Sequence, residues 1–139
     1  MKKKMINPAN MYNSVPFGFS HAALYSGNVL ELAGQVAWDA EGNLVGRGDL
    51  ALQTRQVLNN LRTVLEAVNA SAADIVRLRT YVVNHSPDKL PAIIQEINRF
   101  YGGLTPAPNT LIGVQALATP ELMIEIEATA LAPDESSFV

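Results

Sequence analysis

Apolar residues at Val57, Leu58, Leu61, Val64, Leu65 and Val68 recur at spacings of three and four. That spacing gathers them into one stripe on a helix and predicts a helix over residues 50–69. Asp49 stands just before it with the side chain of an N-cap. A second stripe, Leu90, Ile93, Ile94, Ile97, Phe100 and Tyr101, predicts a helix capped by Asp88 and stopped by Gly102 and Gly103. Pro91 falls in its first turn, where a missing N–H costs nothing. Between the helices, "SAAD" at 71–74 has the form of a capping box, with Ser71 and Asp74 as its two halves.

Elsewhere the period is two. Over 76–84, Val76, Leu78, Thr80 and Val82 alternate with Arg77, Arg79, Tyr81 and Val83. Over 122–131, Ile124, Ile126, Ala128 and Ala130 alternate with Glu125, Glu127 and Thr129. Residues 109–117 give one more strand. Before the first helix, two strands meet at Ser26-Gly27-Asn28, the second running over 29–37 to the turn "DAEGN". The order β-β-α-β-α-β-β predicts an α+β fold with both helices on one face of a mixed sheet and hairpin-like strand pairs at both ends. Residues 1–16 read as an irregular lead-in, 17–132 as a single domain and 133–139 as a tail. The sheet face away from the helices mixes Arg77, Arg79, Glu125 and Glu127 with Tyr81 and Val83, the composition of a wet subunit interface.

Composition narrows the function classes. The chain of 139 residues has 48% hydrophobic and 17% charged residues and a net charge of −3, which argues against a nucleic-acid partner. Lys2, Lys3 and Lys4 read as a solvated, frayed terminus. The absence of cysteine excludes disulfides and thiolate chemistry. No apolar run reaches the roughly 18 residues of a membrane span, and no secretion signal is readable, so a cytoplasmic protein is expected.

The chemistry on offer is sparse. His21 and His85 are the only histidines, and without a carboxylate cluster no metal site or cofactor is expected. His85 reads as a loop residue and His21 as a structural histidine. No serine sits in a nucleophile elbow, and no glycine run makes a phosphate cradle. Glu125 and Glu127 share one strand face, as do Arg77 and Arg79. The spacing allows two readings, an Arg/Glu ladder between strands or a glutamate serving as a water-orienting acid/base.

The ordered series "SGNVLELAGQVAWDAEGNLVG", "GDLALQTRQVLNNLRTVLEAVNASAADIVRLRTYVV", "PAPNTLIGVQAL" and "MIEIEATAL" resembles the Rid (YjgF/RidA) family over residues 17–132. The resemblance implies a chorismate-mutase-like sandwich. It also implies a homotrimer with an inward-facing sheet barrel and small-molecule clefts between subunits. Typical members hydrolyse enamines and imines such as 2-aminoacrylate. Gly34 and Gln35 match the family's G-Q, and Glu125 matches its water-placing glutamate. Asn109, or Pro108 if the alignment slides by one, stands where the family carries an arginine that clamps the substrate carboxylate; neither can carry a charge, so the chain resembles a branch lacking that cation. Phe19 takes the place of a family tyrosine, with His21 the nearest titratable group.

These matches make Phe19, His21, Gly34, Gln35, Asn109 and Thr110 the expected ligand-binding residues and Glu125 the expected catalytic residue. The expected function is small-metabolite binding with deaminase-like hydrolysis of an imine, enamine or related C–N bond. A non-catalytic ligand-sensing or protein-stabilising trimer is the alternative. Endoribonuclease-like RNA cleavage is the third reading, and it lacks a basic, aromatic-lined stripe to support it.

Overall fold

The computed structural model describes residues 2–134. Its elements run β1 (Lys2–Ile6), β2 (Ala22–Ser26), β3 (Asn28–Gln35), α1 (Leu50–Glu66), β4 (Ile75–Val83), α2 (Leu90–Tyr101), β5 (Asn109–Val114) and β6 (Ile124–Ala132), with single 3-10 turns at Val15–Phe17, Ala72–Asp74 and Pro87–Lys89. The strands form a mixed four-stranded sheet in the order β3-β6-β4-β5 and a separate ribbon, β1-β2. The last strand is therefore central. It runs antiparallel to both β3 and β4, while β4 and β5 are parallel. Among the described residues no helix is long and apolar enough to cross a membrane.

The α+β class and the two helices agree with the periodicities, but the strand pairing differs from the expected hairpins. β2 pairs with β1 and not with β3, so residues 1–16 are not wholly irregular. Lys2, Lys3 and Lys4 lie in a strand instead of fraying. Their exposed charges suit a ribbon edge, and Lys3 donates to the Ala73 carbonyl. β5 and β6 are separated by β4, and β5 ends at Val114, short of the expected 117. Local patterning sets strand faces but does not choose partners, which is why the pairing was not readable. Asp88 lies inside the 3-10 turn before α2 and accepts from Ser86 instead of capping the helix. Asp49 does cap α1, accepting from the Leu52 N–H at 3.0 Å, and the Ser71/Asp74 capping box is formed. Of the expected tail, residues 135–139 lie outside the described residues.

The core lies between the sheet and both helices. Leu78, Val82, Ile124, Ile126 and Ala130 from the sheet meet Val57, Leu61, Leu65, Ile93 and Ile97 from the helices, each nearly or fully inaccessible. Each large apolar side chain buried this way contributes about 1.5–3 kcal/mol. Glu96 and Gln53 are among the polar side chains buried with them. Glu96 on α2 accepts from Arg55 Nη2 of α1 at 2.7 Å and from Arg99 Nη1 at 2.9 Å, tying the helices together. Gln53 donates to the carbonyls of Gly46 and Glu121 and accepts from the Met123 N–H at 2.9 Å. That clamp fixes the loop before α1 and the approach to β6.

Substituting Gln53→Leu keeps the volume but strands those backbone groups. A cost of about 1–3 kcal/mol is expected for each group left dry, measured by urea unfolding. A variant as stable as wild type would show that water replaces the clamp. The Arg55 hydrogen bond holds the Glu96 carboxyl below its usual 4.5. Its stabilisation is therefore complete above the unfolded-state value and lost as pH falls through the lower folded value. Glu96→Gln is expected to be less stable than wild type at neutral pH and to lose less stability on acidification. Parallel pH–stability curves for the two proteins would contradict this.

Candidate functional site

The alternation of β6 directs Glu125 and Glu127 away from the helices. On β4 the residues directly opposite are Tyr81 for Glu125 and Arg79 for Glu127. The Arg/Glu ladder allowed by spacing does not form. Neither Arg77 nor Arg79 forms an ion pair with Glu125 or Glu127, whereas Arg55 and Arg99 both pair with Glu96. Glu127 instead accepts from the Tyr81 hydroxyl, and Arg77 Nη2 donates to Thr110 Oγ1 at 2.8 Å. Glu125 is half-buried with no cation on its carboxyl. Desolvation raises its pKa above the usual value, and the nearby charge of Glu127 adds to the effect.

Gly34 explains how Glu125 fits. The β3–β6 register breaks between Leu32 and Gln35. A Cβ at Gly34 would lie 2.2 Å from Glu125 Oε2, so the carboxyl rests directly on bare backbone. On the helix side of this end of β3, a groove of about 610 Å3 is lined by Gly34, Gln35, Trp38, Asn60 and Thr63, among others. Asn60 Nδ2 donates to the carbonyls of Val36 at 3.0 Å and Trp38 at 2.9 Å, holding the groove's wall to α1. Val64, placed in the apolar stripe by its spacing, also lines this groove and stays 37% exposed.

The other expected site residues lie elsewhere in the chain. Asn109 and Thr110 are adjacent on β5 and project to opposite sides. Asn109 Oδ1 accepts from the buried Thr80 hydroxyl at 3.0 Å. With Phe19 and Tyr12, Asn109 lines a second pocket, of about 350 Å3, against α2. Thr110 lies on the opposite face with Arg77. His21 borders a third pocket, of about 410 Å3, together with Arg77, Arg79 and Glu31. Its Nε2 sits 2.9 Å from the Tyr12 carbonyl oxygen and its backbone N–H donates to Asn7 Oδ1, so it holds the lead-in segment in place.

One copy of the chain therefore brings Gly34, Gln35 and Glu125 together and Phe19 and Asn109 together, but does not join the two groups. Arg77 and Arg79 do not replace the missing cation at Asn109, because they occupy the other face. Reading the sequence missed Tyr12, Asn60 and Tyr81. Only Tyr81 carried a signal, since alternation already placed it on the glutamate face. Among the described residues no group of three or more His, Asp or Glu side chains could hold a metal ion.

Comparison with known proteins identifies relatives of the chain. A solved Yersinia pestis structure, described as a protein of unknown function of the conserved Rid protein family, YyfB, is 62% identical. It covers 94% of this chain and 99% of its own, with a TM-score of 0.91. A RutC family protein of Pyrococcus horikoshii is 32% identical over 115 residues, covering 83% of this chain and 88% of its own length. A 2-iminobutanoate/2-iminopropanoate deaminase of Dermatophagoides farinae is 28% identical over 113 residues, covering 81% and 85%. The family profile described as Endoribonuclease L-PSP matches residues 12–132. The chain belongs to that family, the Rid (YjgF/RidA) proteins.

Proposed function

We propose that the protein binds a small imine- or enamine-like metabolite in clefts between the subunits of a cytoplasmic homotrimer and hydrolyses its C–N bond. The observation that carries this reading is the Glu125 carboxyl, resting on Gly34 without a cation and with its pKa raised by burial. A carboxyl raised toward the working pH suits proton transfer. Glu125 takes a proton from water as the oxygen attacks the imine carbon, then returns it to the nitrogen. A second transfer through Glu125 carries the hydroxyl proton of the resulting carbinolamine to the nitrogen, the C–N bond breaks, ammonia leaves and a carbonyl remains. Glu127, which accepts from the Tyr81 hydroxyl, stands beside Glu125 and adds to the raising of its pKa. The deaminase name of the Dermatophagoides relative supports the reaction class.

Because Asn109 and Glu125 lie on opposite sides of the sheet, a cleft using both takes its walls from two copies. That supports the intersubunit location. The uncharged Asn109 favours a second reading, a ligand-binding trimer without turnover. The endoribonuclease description of the family profile finds little support in a chain with a net charge of −3.

Glu125→Gln is expected to lower the release of ammonia from imines and enamines generated in situ by about 10²–10⁴-fold. Glu127→Gln is expected to move the acid limb of kcat/KM to lower pH, because losing the neighbouring charge eases ionisation of Glu125. An undiminished rate in the first variant, or an unmoved limb in the second, would remove these roles. A wild type that binds such compounds without turnover would establish the second reading.

Gly34→Ala tests the close approach. The added methyl displaces a flexible carboxylate end, so the fold is expected to survive by circular dichroism while turnover falls at least tenfold. Full activity in that variant would mean the position of Glu125 on Gly34 does not matter.

A further inference from the structure

We propose that the pocket between Phe19, Asn109 and α2 is a specificity subsite for an uncharged ligand. That ligand carries a branched or aromatic apolar group and a carbonyl or hydroxyl oxygen that accepts from the Asn109 amide. The inference deepens the proposed reading by naming the substrate class, and it rests on that reading only for what happens after binding.

The lining is the first argument. Phe17, Phe19, Ile93, Ile94 and Leu111 form an apolar wall, and no charged side chain lines the pocket. Its volume of about 350 Å3 is at the lower end of small-molecule sites, which run from about 300 to 1,000 Å3. A carboxylate entering it would lose its hydration and meet no cation, and burying an unpaired charge is strongly unfavourable.

The second argument is the orientation of Asn109. Its Oδ1 is occupied by the Thr80 hydroxyl at 3.0 Å, while Thr80 itself is fully buried. The acceptor end is thus turned into the sheet, leaving the NH2 as the group available to a ligand. A neutral donor matches a neutral acceptor such as an amide carbonyl or an alcohol. The chain's cations in this region, Arg77 and Arg79, line the pocket on the other face and do not supply charge here.

The third argument is that the wall is held in place before any ligand arrives. Gly18 takes φ +89°, and its Cα lies so close to α2 that a Cβ would come within 3.1 Å of Ile97 Cγ2. Asn98 Nδ2 donates to the Pro16 carbonyl at 3.1 Å, pinning the Phe17 turn to α2. Tyr12 packs edge-to-face on Phe19 and His21, with centroids 6.4 and 4.7 Å apart. Preorganised apolar surface of this kind lowers the ordering cost of binding.

Phenylacetamide and phenylacetate share a ring and a linker and differ in charge, so they separate the alternatives. The full-length protein, with labelled Ile and Leu methyls, is titrated with each by NMR. Phenylacetamide is expected to shift the methyls of Ile93, Ile94 and Leu111 and to bind at least tenfold more tightly than phenylacetate. Asn109→Arg is expected to reverse that order. If Asn109→Arg does not fold, the wild-type comparison decides alone. Equal or tighter binding of phenylacetate to wild type, or no methyl shifts with either compound, would overturn the assignment. The outcome is separable from the proposed hydrolysis. Amide binding retained in Glu125→Gln, with no ammonia release by wild type, would leave the subsite and remove the reaction. Hydrolysis of 2-aminoacrylate without amide binding would do the reverse.

Discussion

The position of the last strand in the middle of the sheet constrains everything else. β6 has a paired neighbour on each side, so a slip of one residue against either would turn every side chain to the wrong face. Ile124, Ile126, Ala128 and Ala130 are buried against the helices, and that burial fixes the register. The directions of Glu125 and Glu127 follow without further design. The candidate proton-transfer group thus takes its aim from the same apolar contacts that stabilise the fold.

Fixing β6 also explains the demands placed on its neighbours. β3 must bring bare backbone to Glu125, which requires glycine at position 34 and a break in register beside it. β4 must offer a donor to Glu127, and Tyr81 does so from the position opposite Glu125. Far from the face these residues share, the Gln53 clamp holds the segment leading into β6 to α1. A polar residue at the base of one helix therefore helps to set where the strand begins.

Much of this was legible in the sequence, for reasons tied to particular residues. The stripes from Val57 to Leu65 and from Leu90 to Tyr101 and the alternation from Ile124 to Ala130 are local patterns, and they named both helices and the inward face of the last strand. Strand partnership was not legible, because period-two alternation is the same whether β2 pairs with β1 or with β3. The candidate site was legible in fragments. Glu125, Gly34 and Asn109 were identifiable by resemblance. Spacing allowed an Arg/Glu ladder because it fixes which residues face one another, not which side chains bond. Tyr81 and Thr110 took the hydrogen bonds that a ladder would have used.

The division of polar groups between the two sides of the sheet is the feature that distinguishes the site chemically. Asn109 and Thr110 are neighbours in sequence, yet the strand's alternation sends one toward α2 and the other toward Arg77. A cation at position 109 would face the apolar pocket. The arginines at 77 and 79 face the glutamate side, where both are half-buried and Arg77 donates to Thr110. Moving charge from one side to the other is therefore not a matter of small side-chain adjustments, since it would require a different residue at position 109. Family membership leaves that choice open, because the fold depends on the alternation of β6 and not on the identity of residue 109. A chain can keep the Gly34–Glu125 contact intact while changing which end of a ligand it recognises.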